Sequence, residues 1–323
     1  MIRRRHALLG LAAAGIASPN SWAQNPGWPN KPVKLMVAFA PGGPADIIAR
    51  FLSQRLGDRL KQSVVVENRV GAGGNLAAQA VARAEPDGYT LLVTTSAFAV
   101  NPALSRKAGY DPVKEFSTVN ILAGTPNLIV ASPDLPVKNL QDVFKLAKTQ
   151  SLSFGTAGGG TTPHLCAAYL FKSLAKVNIV HVPYTGAGPA LTAVMGNHIP
   201  LASVALPAAV ALVKAEKIRP LAVTSAQRVS TTPDVPTVAE LGFPGFNFAT
   251  WVGVFAPANT PADIIARVNS ELNLILFIPE FQQQLTQAGF SPMGGSLDKS
   301  ADYLRAELAK YAKVVREAGI TAE

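Results

Sequence analysis

Ala38-Phe39-Ala40-Pro41-Gly42-Gly43-Pro44-Ala45-Asp46 is the stretch on which the fold reading turns. It closes an apolar, strand-like run over residues 33–39 and opens an amphipathic helical pattern over residues 45–60. Gly42 and Gly43 carry no Cβ, so the backbone here approaches a neighbour closely. Pro44 falls in the first helical turn, where the missing N–H costs little. Asp46 follows in the same turn, placed to accept from unpaired amides and to complement the helix dipole. A strand, a glycine turn and a helix N-terminus in this order form an anion-binding cup. The expected guest is a carboxylate.

Strand and helix patterns go on alternating downstream, which predicts an α/β architecture with mainly parallel sheets. Residues 64–66 and 89–94 read as strands. Between them, Asn68-Arg69-Val70-Gly71-Ala72-Gly73-Gly74-Asn75 is a glycine-rich loop before a helix over 76–84. It has neither the G-x-G-x-x-G spacing of a dinucleotide fingerprint nor the lysine of a P-loop. Asn101-Pro102 marks a helix start or a turn. Residues 119–131 are strand-like but interrupted by Gly124 and Pro126, and read as a crossing between two domains. Further strands are expected over 152–156, 177–182, 199–206 and 218–224, with 251–256 as the return crossing. The first lobe is therefore expected to be discontinuous, 24–125 plus 251–323, with the second inserted as 126–250.

Two later turns repeat the opening logic. In Ala157-Gly158-Gly159-Gly160-Thr161-Thr162-Pro163-His164, Thr162 is the expected N-cap and Pro163 the first helical residue. In Pro183-Tyr184-Thr185-Gly186-Ala187-Gly188-Pro189, glycine again precedes proline at a helix start. Each turn alone also serves as an ordinary strand–helix connector. Together, facing one another across a cleft, the turns at 40–46, 157–164 and 183–189 present amides and helix N-termini to one anion. Thr260-Pro261-Ala262-Asp263 opens another helix with cap, proline and first-turn acid. The last helix, 298–318, repeats apolar positions from Tyr303 to Val315.

Composition narrows the function classes. The chain has 323 residues, 48% hydrophobic and 15% charged, which suits two domains. Arg3-Arg4-Arg5, the apolar run 7–17 and Ser21-Trp22-Ala23 form the parts of a cleavable export signal over residues 1–23. That segment holds three arginines and no acid, so its removal takes the formal charge from +9 to +6. The surplus steers anions and equally serves solubility. No Lys/Arg run of the nucleic-acid type is present. Cys166 is the single cysteine, so no intramolecular disulfide forms; it falls in an apolar helical run and reads as buried filler.

Catalytic patterns are missing. His6, His164, His181 and His198 form no H-x-x-x-H or H-E-x-x-H pair, there is no G-x-S-x-G elbow, and the acids are scattered. Neither a metal nor a cofactor is expected, and the chain reads as a non-enzyme. His164, just inside its helix, either donates to a ligand oxygen or steadies the loop; His181 and His198 read as structural.

A resemblance now becomes legible. Phe39-x-Pro41-Gly42-Gly43-x-x-Asp46, Val65-Val66-Glu67-Asn68-Arg69-x-Gly71-Ala72-Gly73-Gly74 and Pro86-Asp87-Gly88-Tyr89-Thr90-Leu91-Leu92 resemble the Bug-type periplasmic receptors of tripartite tricarboxylate transporters. Gly158-x-Gly160-Thr161-x-x-His164, His181-Val182-Pro183-Tyr184, Leu221-Ala222-Val223-Thr224-Ser225 and Asp234-Val235-Pro236-Thr237 extend the likeness along the mature chain. The resemblance implies a two-lobed, type II flytrap binding protein in the periplasm. It further implies an organic-acid ligand, handed to membrane transporter subunits. The ligand-binding residues so implied are Phe39, Pro41, Gly42, Gly43 and Asp46 of the first turn and Ser96 after the third strand. Ala157, Gly158, Gly160, Thr161, Thr162 and His164 of the second turn, Tyr184 of the third and Ala205 complete them.

One departure sharpens the ligand. Amino-acid-binding members often carry an aspartate in the strand that matches residues 199–206, suited to an ammonium group. Here Leu201-Ala202-Ser203-Val204-Ala205-Leu206 holds no acid, so the expected ligand has no positive charge: a di- or tricarboxylate, or an aromatic or hydroxy acid. A monomer is expected. Two other roles stay open at this point, a ligand-sensing receptor that touches a sensor kinase, and an exported hydrolase or transferase.

Overall fold

A computed structural model describes residues 27–104 and 108–318. The export signal expected over residues 1–23 lies outside the described residues. In chain order the elements begin with β1 (Val33–Val37), α1 (Pro44–Leu60), β2 (Val64–Asn68), a 3₁₀ turn (Ala72–Gly74), α2 (Asn75–Ala82), β3 (Thr90–Thr95) and α3 (Ala97–Leu104). Then come β4 (Phe116–Ala131), α4 (Leu140–Leu146), β5 (Leu152–Thr156), α5 (Thr162–Ala168) running into a π-helical turn (Tyr169–Leu174), β6 (Ile179–Pro183) and α6 (Ala187–Met195). The rest are β7 (Leu201–Ala205), α7 (Leu206–Lys214), β8 (Arg219–Val223), β9 (Ala249–Pro257), α8 (Ala262–Leu276), α9 (Pro279–Gln287), β10 (Ser291–Pro292) and α10 (Leu297–Ala318).

The strands line up as β2-β1-β3-β9-β4-β7-β5-β6, with β8 and β10 also paired to β4. Pairings of β1 with β2 and β3, and of β5 with β6 and β7, are parallel. Every described pairing that involves β4 or β9 is antiparallel. The arrangement is thus more mixed than mainly parallel. A chain that leaves one lobe and returns beside its own exit must run the two crossing segments in opposite directions.

β4 is one continuous strand, not the interrupted one expected. It pairs with β9 from Phe116 to Pro126 and then with β7 from Asn127 to Ala131. Gly124 and Pro126 are absorbed because the ladder continues through Gly124↔Trp251, Thr125↔Thr250 and Pro126↔Ala249. Asn127 secures the changeover: its amide donates to Thr224 Oγ1 at 2.8 Å, and its side-chain oxygen accepts from Thr250 Oγ1 at 2.7 Å.

The apolar cores divide at the same place. One gathers buried residues between 33 and 123 with others between 251 and 315, and takes in Leu165. The buried members of two more all fall between 128 and 248, with Val314 of α10 packed against one of them. α1 shows how the pattern works: Ile48, Leu52, Leu56 and Leu60 recur every four residues and are all buried. The helix ends at Lys61, whose left-handed φ of 55° turns the following Gln62 amide back to the Gly57 carbonyl at 3.2 Å.

Helix starts bring corrections. Thr161, not Thr162, caps α5: its backbone is extended and its hydroxyl accepts from the His164 amide at 3.4 Å. Pro163 is consequently the second helical residue. The Thr162 hydroxyl is engaged elsewhere, with Ser96 and Tyr311. Thr260 does not cap α8; its hydroxyl donates to the Pro257 carbonyl at 2.8 Å, and Pro261 stands at the cap. Asn101-Pro102 neither starts a helix nor turns the chain, but lies inside α3. The carbonyl that Pro102 leaves without an amide is that of Phe98, and Tyr110 supplies its hydroxyl there at 3.0 Å.

Candidate functional site

Four helix N-termini converge on one small space. Gly43 caps α1, Thr161 caps α5, Ala187 is the first residue of α6 and Ala205 caps α7. All four line the same cavity of about 20 Å³, together with Phe39, Pro44, Thr95, Ala157, Pro163 and Thr250. That volume holds one water-sized group. Each helix start offers unpaired amides and the positive end of its dipole, contributing about 1 kcal/mol toward an anion. Among the described residues, no Asp, Glu, Lys or Arg lines the cavity.

A larger chamber of about 720 Å³ adjoins it, sharing Phe39 and Ala157. Its walls are the loop 71–75, Asn101 and Leu104 on one side, and 157–160, His164 and 183–185 on the other. The opposing walls touch. The Ala40 amide donates to the Thr185 carbonyl at 3.2 Å, and the Ser96 and Thr162 hydroxyls share a hydrogen bond. Asn101 donates to the Gly73 carbonyl at 3.0 Å and to Asn75 Oδ1 at 2.7 Å. Two glycines make this fit feasible: a Cβ on Gly73 would sit 2.3 Å from the Gly159 carbonyl oxygen, and one on Gly160 1.8 Å from Asn101 Oδ1. Both have positive φ, 61° and 74°, which L side chains rarely adopt.

Of the residues expected at the site, Phe39, Gly43, Ala157, Thr161 and Ala205 line the small cavity; Gly158, Gly160, His164 and Tyr184 line the chamber. Pro41 and Gly42 line neither and are exposed. Ser96 and Thr162 are fully buried behind the cavity wall, where they tie the two sides together. Pro44, Thr95, Ala187, Thr250, Asn75 and Asn101 line the cavities without having been singled out. Ala187 lay within the third turn and Asn75 at the end of the glycine-rich loop, so their positions carried a signal. Thr95, Asn101 and Thr250 carried none, since folding alone brings them there.

Asp46 turns away from the cup. Its carboxylate accepts from the Gly42 amide at 3.0 Å, from Arg50 Nε at 3.0 Å and from Asn68 Nδ2 at 2.9 Å. Burial works against its ionisation, but the hydrogen bonds from Arg50, Gly42 and Asn68 and the Arg50 charge outweigh that and hold the carboxyl below its ordinary range. Asn68 also donates to the Phe39 carbonyl at 2.8 Å. Asp46 therefore shapes the turn from behind, leaving the α1 N-terminus uncompensated by acid on the cavity side.

The two buried-side histidines stack, ring centroids 3.9 Å apart. His164 Nδ1 accepts from the Gly160 amide at 3.3 Å, the loop-steadying contact rather than an outward donation from that nitrogen. His181 Nε2 meets Thr156 Oγ1 at 2.7 Å, and burial lowers its pKa to about 4. Thr156 in turn bonds both the amide and the carbonyl of Gly158. The pair is thus the floor of the 157–160 loop. Cys166 is fully buried, its thiol pushed up to about 12 by desolvation.

A two-lobed α/β body, with uncharged glycine-rich turns and helix N-termini closing on an interlobe cleft, defines the class of periplasmic-type solute-binding proteins. The chain belongs to the tripartite tricarboxylate transporter family receptors, whose description it matches over residues 48–320. It is 33% identical to BugT of Bordetella pertussis over 313 residues, 96% of this chain and 95% of that one. Among solved structures it is similar to R. palustris Rpa4515 with adipate, at 37% identity, TM-score 0.87, covering 91% of this chain and 99% of that chain. It is also similar to MatC of Rhodopseudomonas palustris with bound malate, at 32% identity, TM-score 0.85, covering 89% and 100%.

Proposed function

We propose that this protein is a periplasmic receptor that captures an organic acid by closing two lobes, 24–125 plus 251–323 and 126–250, around its carboxylate. It then presents the liganded form to the membrane subunits of a tripartite tricarboxylate transporter. The observation that carries this reading is the convergence of the α1, α5, α6 and α7 N-termini on one acid-free cavity. One helix comes from the first side of the cleft and three from the second, so an anion bound there favours closure by contacting both. One carboxylate oxygen occupies the small cavity and the remainder of the ligand the adjoining chamber. Adipate in Rpa4515 and malate in MatC supply the precedent for acids of this kind. The acid-free β7, Leu201–Ala205, leaves nothing to pair with an ammonium group.

Thermal-shift screening of di- and tricarboxylates, hydroxy acids, aromatic acids and amino acids tests the proposal. Stabilisation by plain carboxylates is expected. Stabilisation by amino acids alone would overturn it.

A further inference from the structure

A second cavity lies where α10 meets the segment 242–248 and the π-helical turn. It encloses about 550 Å³ and is lined chiefly by Tyr169, Phe243, Phe246, Phe248, Lys310 and Val314. Tyr169 opens the π-helical turn, a rare geometry that recurs at functional sites. Its ring lies 6.3 Å from that of Phe246 and 6.0 Å from that of Phe248, which are 4.9 Å from each other. Lys310 is the one charged residue among those lining the cavity. Its ammonium is ion-paired with Glu307 Oε1 at 3.1 Å and lies 5.3 Å from the centre of the Tyr311 ring; with three donors and a side chain 45% exposed, it keeps hydrogens for a further acceptor.

The walls belong to different cores. Phe246 and Phe248 pack into a core of residues 129–248, whereas α10 packs through Leu304, Tyr311 and Val315 into the core that contains β1 and α1. Tyr311, next to Lys310, places its hydroxyl 3.5 Å from both Thr162 Oγ1 and the Ala249 carbonyl. Thr162 bonds Ser96 behind the carboxylate cavity. An occupant that touches both walls therefore senses the relative position of the two lobes.

We infer that this cavity beside α10 is a second binding site for a single-ring aromatic carboxylate, its ring against the Tyr169–Phe246–Phe248 cluster and its carboxylate on Lys310. Aromatic faces favour a planar ring over an aliphatic one, and the Lys310 ammonium, shared with Glu307, is the charge-assisted donor that the described lining offers a carboxylate. Because the site spans both lobes, its occupancy and cleft occupancy alter each other's affinity by the same factor.

The probe is 4-fluorobenzoate, followed by ¹⁹F NMR on the full mature chain. In Gly43→Val protein, whose cleft is obstructed, a bound resonance is expected to persist. Lys310→Gln is expected to weaken it about tenfold, in keeping with loss of a hydrogen bond to a charged group. Asn247→Trp, which fills the exposed rim of the cavity, is expected to remove it. Cyclohexanecarboxylate is expected to displace the probe poorly. A resonance indifferent to both substitutions, no resonance at all, or equal displacement by the aliphatic acid would each overturn the assignment. The same Lys310→Gln change in the otherwise unaltered protein gives a second reading should Gly43→Val fail to fold. Failure here leaves cleft binding untouched, which the thermal-shift screen decides separately.

Discussion

The Ala40 amide, in the turn after β1, donates to the Thr185 carbonyl, in the turn after β6, at 3.2 Å. Two loops some 145 residues apart in the chain are thereby joined through backbone alone. The neighbouring Gly186 has no room for a Cβ, which would lie 2.8 Å from that of Ala40. A side chain at Gly186 would part the two turns.

Gly43→Val is expected to abolish carboxylate binding while leaving the fold in place. Gly43 has an ordinary φ of −85°, and a Cβ there meets only the Ala40 carbonyl oxygen at 3.7 Å, so the added side chain grows into the small cavity rather than into the core. Calorimetry alongside circular dichroism checks this. Unchanged affinity in the variant sinks the cavity assignment.

Gly160→Ala acts on closure instead. The new methyl collides with Asn101 Oδ1 on the facing wall, a clash that falls on the closed form, while its φ of 74° adds about 1–3 kcal/mol of local strain in either form. Affinity is expected to drop roughly tenfold or more, with a larger radius of gyration by small-angle scattering in saturating ligand. Adding Asn101→Gly removes the collision and is expected to recover part of the loss.

Tyr311→Phe removes one hydroxyl lying 3.5 Å from Thr162 Oγ1 and from the Ala249 carbonyl. A loss of about 1 kcal/mol in unfolding free energy is expected by urea titration. Since Thr162 keeps its bond to Ser96, ligand affinity should change less than stability.

Stability is expected to fall as pH drops from about 6.5 to about 4. His181 titrates near 6.5 when unfolded and at about 4 in the native protein, so between these values the unfolded state binds more protons. Asp46 adds a second loss at lower pH: its native value lies below the ordinary 3.8, and the stability present above 3.8 disappears as pH falls through the native value. Urea midpoints over this range provide the measurement. His181→Phe should flatten the upper part of the curve, and an unaltered slope would refute the role given to His181.

The fold was readable because its signals are local. The apolar spacing of Ile48, Leu52, Leu56 and Leu60 and the proline at the start of α1 specify a helix and its first turn without reference to the rest of the chain. Errors arose where a residue's partner is remote. Thr162 looked like a cap because threonine before proline commonly is one, but Ser96 and Tyr311 claim its hydroxyl. Pro102 looked like a breaker, but Tyr110 satisfies the carbonyl it vacates. Gly124 and Pro126 looked like interruptions, but β9 carries the ladder past them.

The opening stretch, 38–46, shows the same division at the site. Its residue types alone specify a glycine turn feeding a helix N-terminus, and hence a preference for an anion. Whether that cup faces a ligand, which of its residues do so, and what opposes it depend on contacts with α5, α6 and α7, more than a hundred residues downstream. Gly43 faces the cavity while Gly42 spends its amide on Asp46. Adjacent glycines are indistinguishable in a string of letters because backbone direction, unlike residue type, is set only when the chain closes on itself.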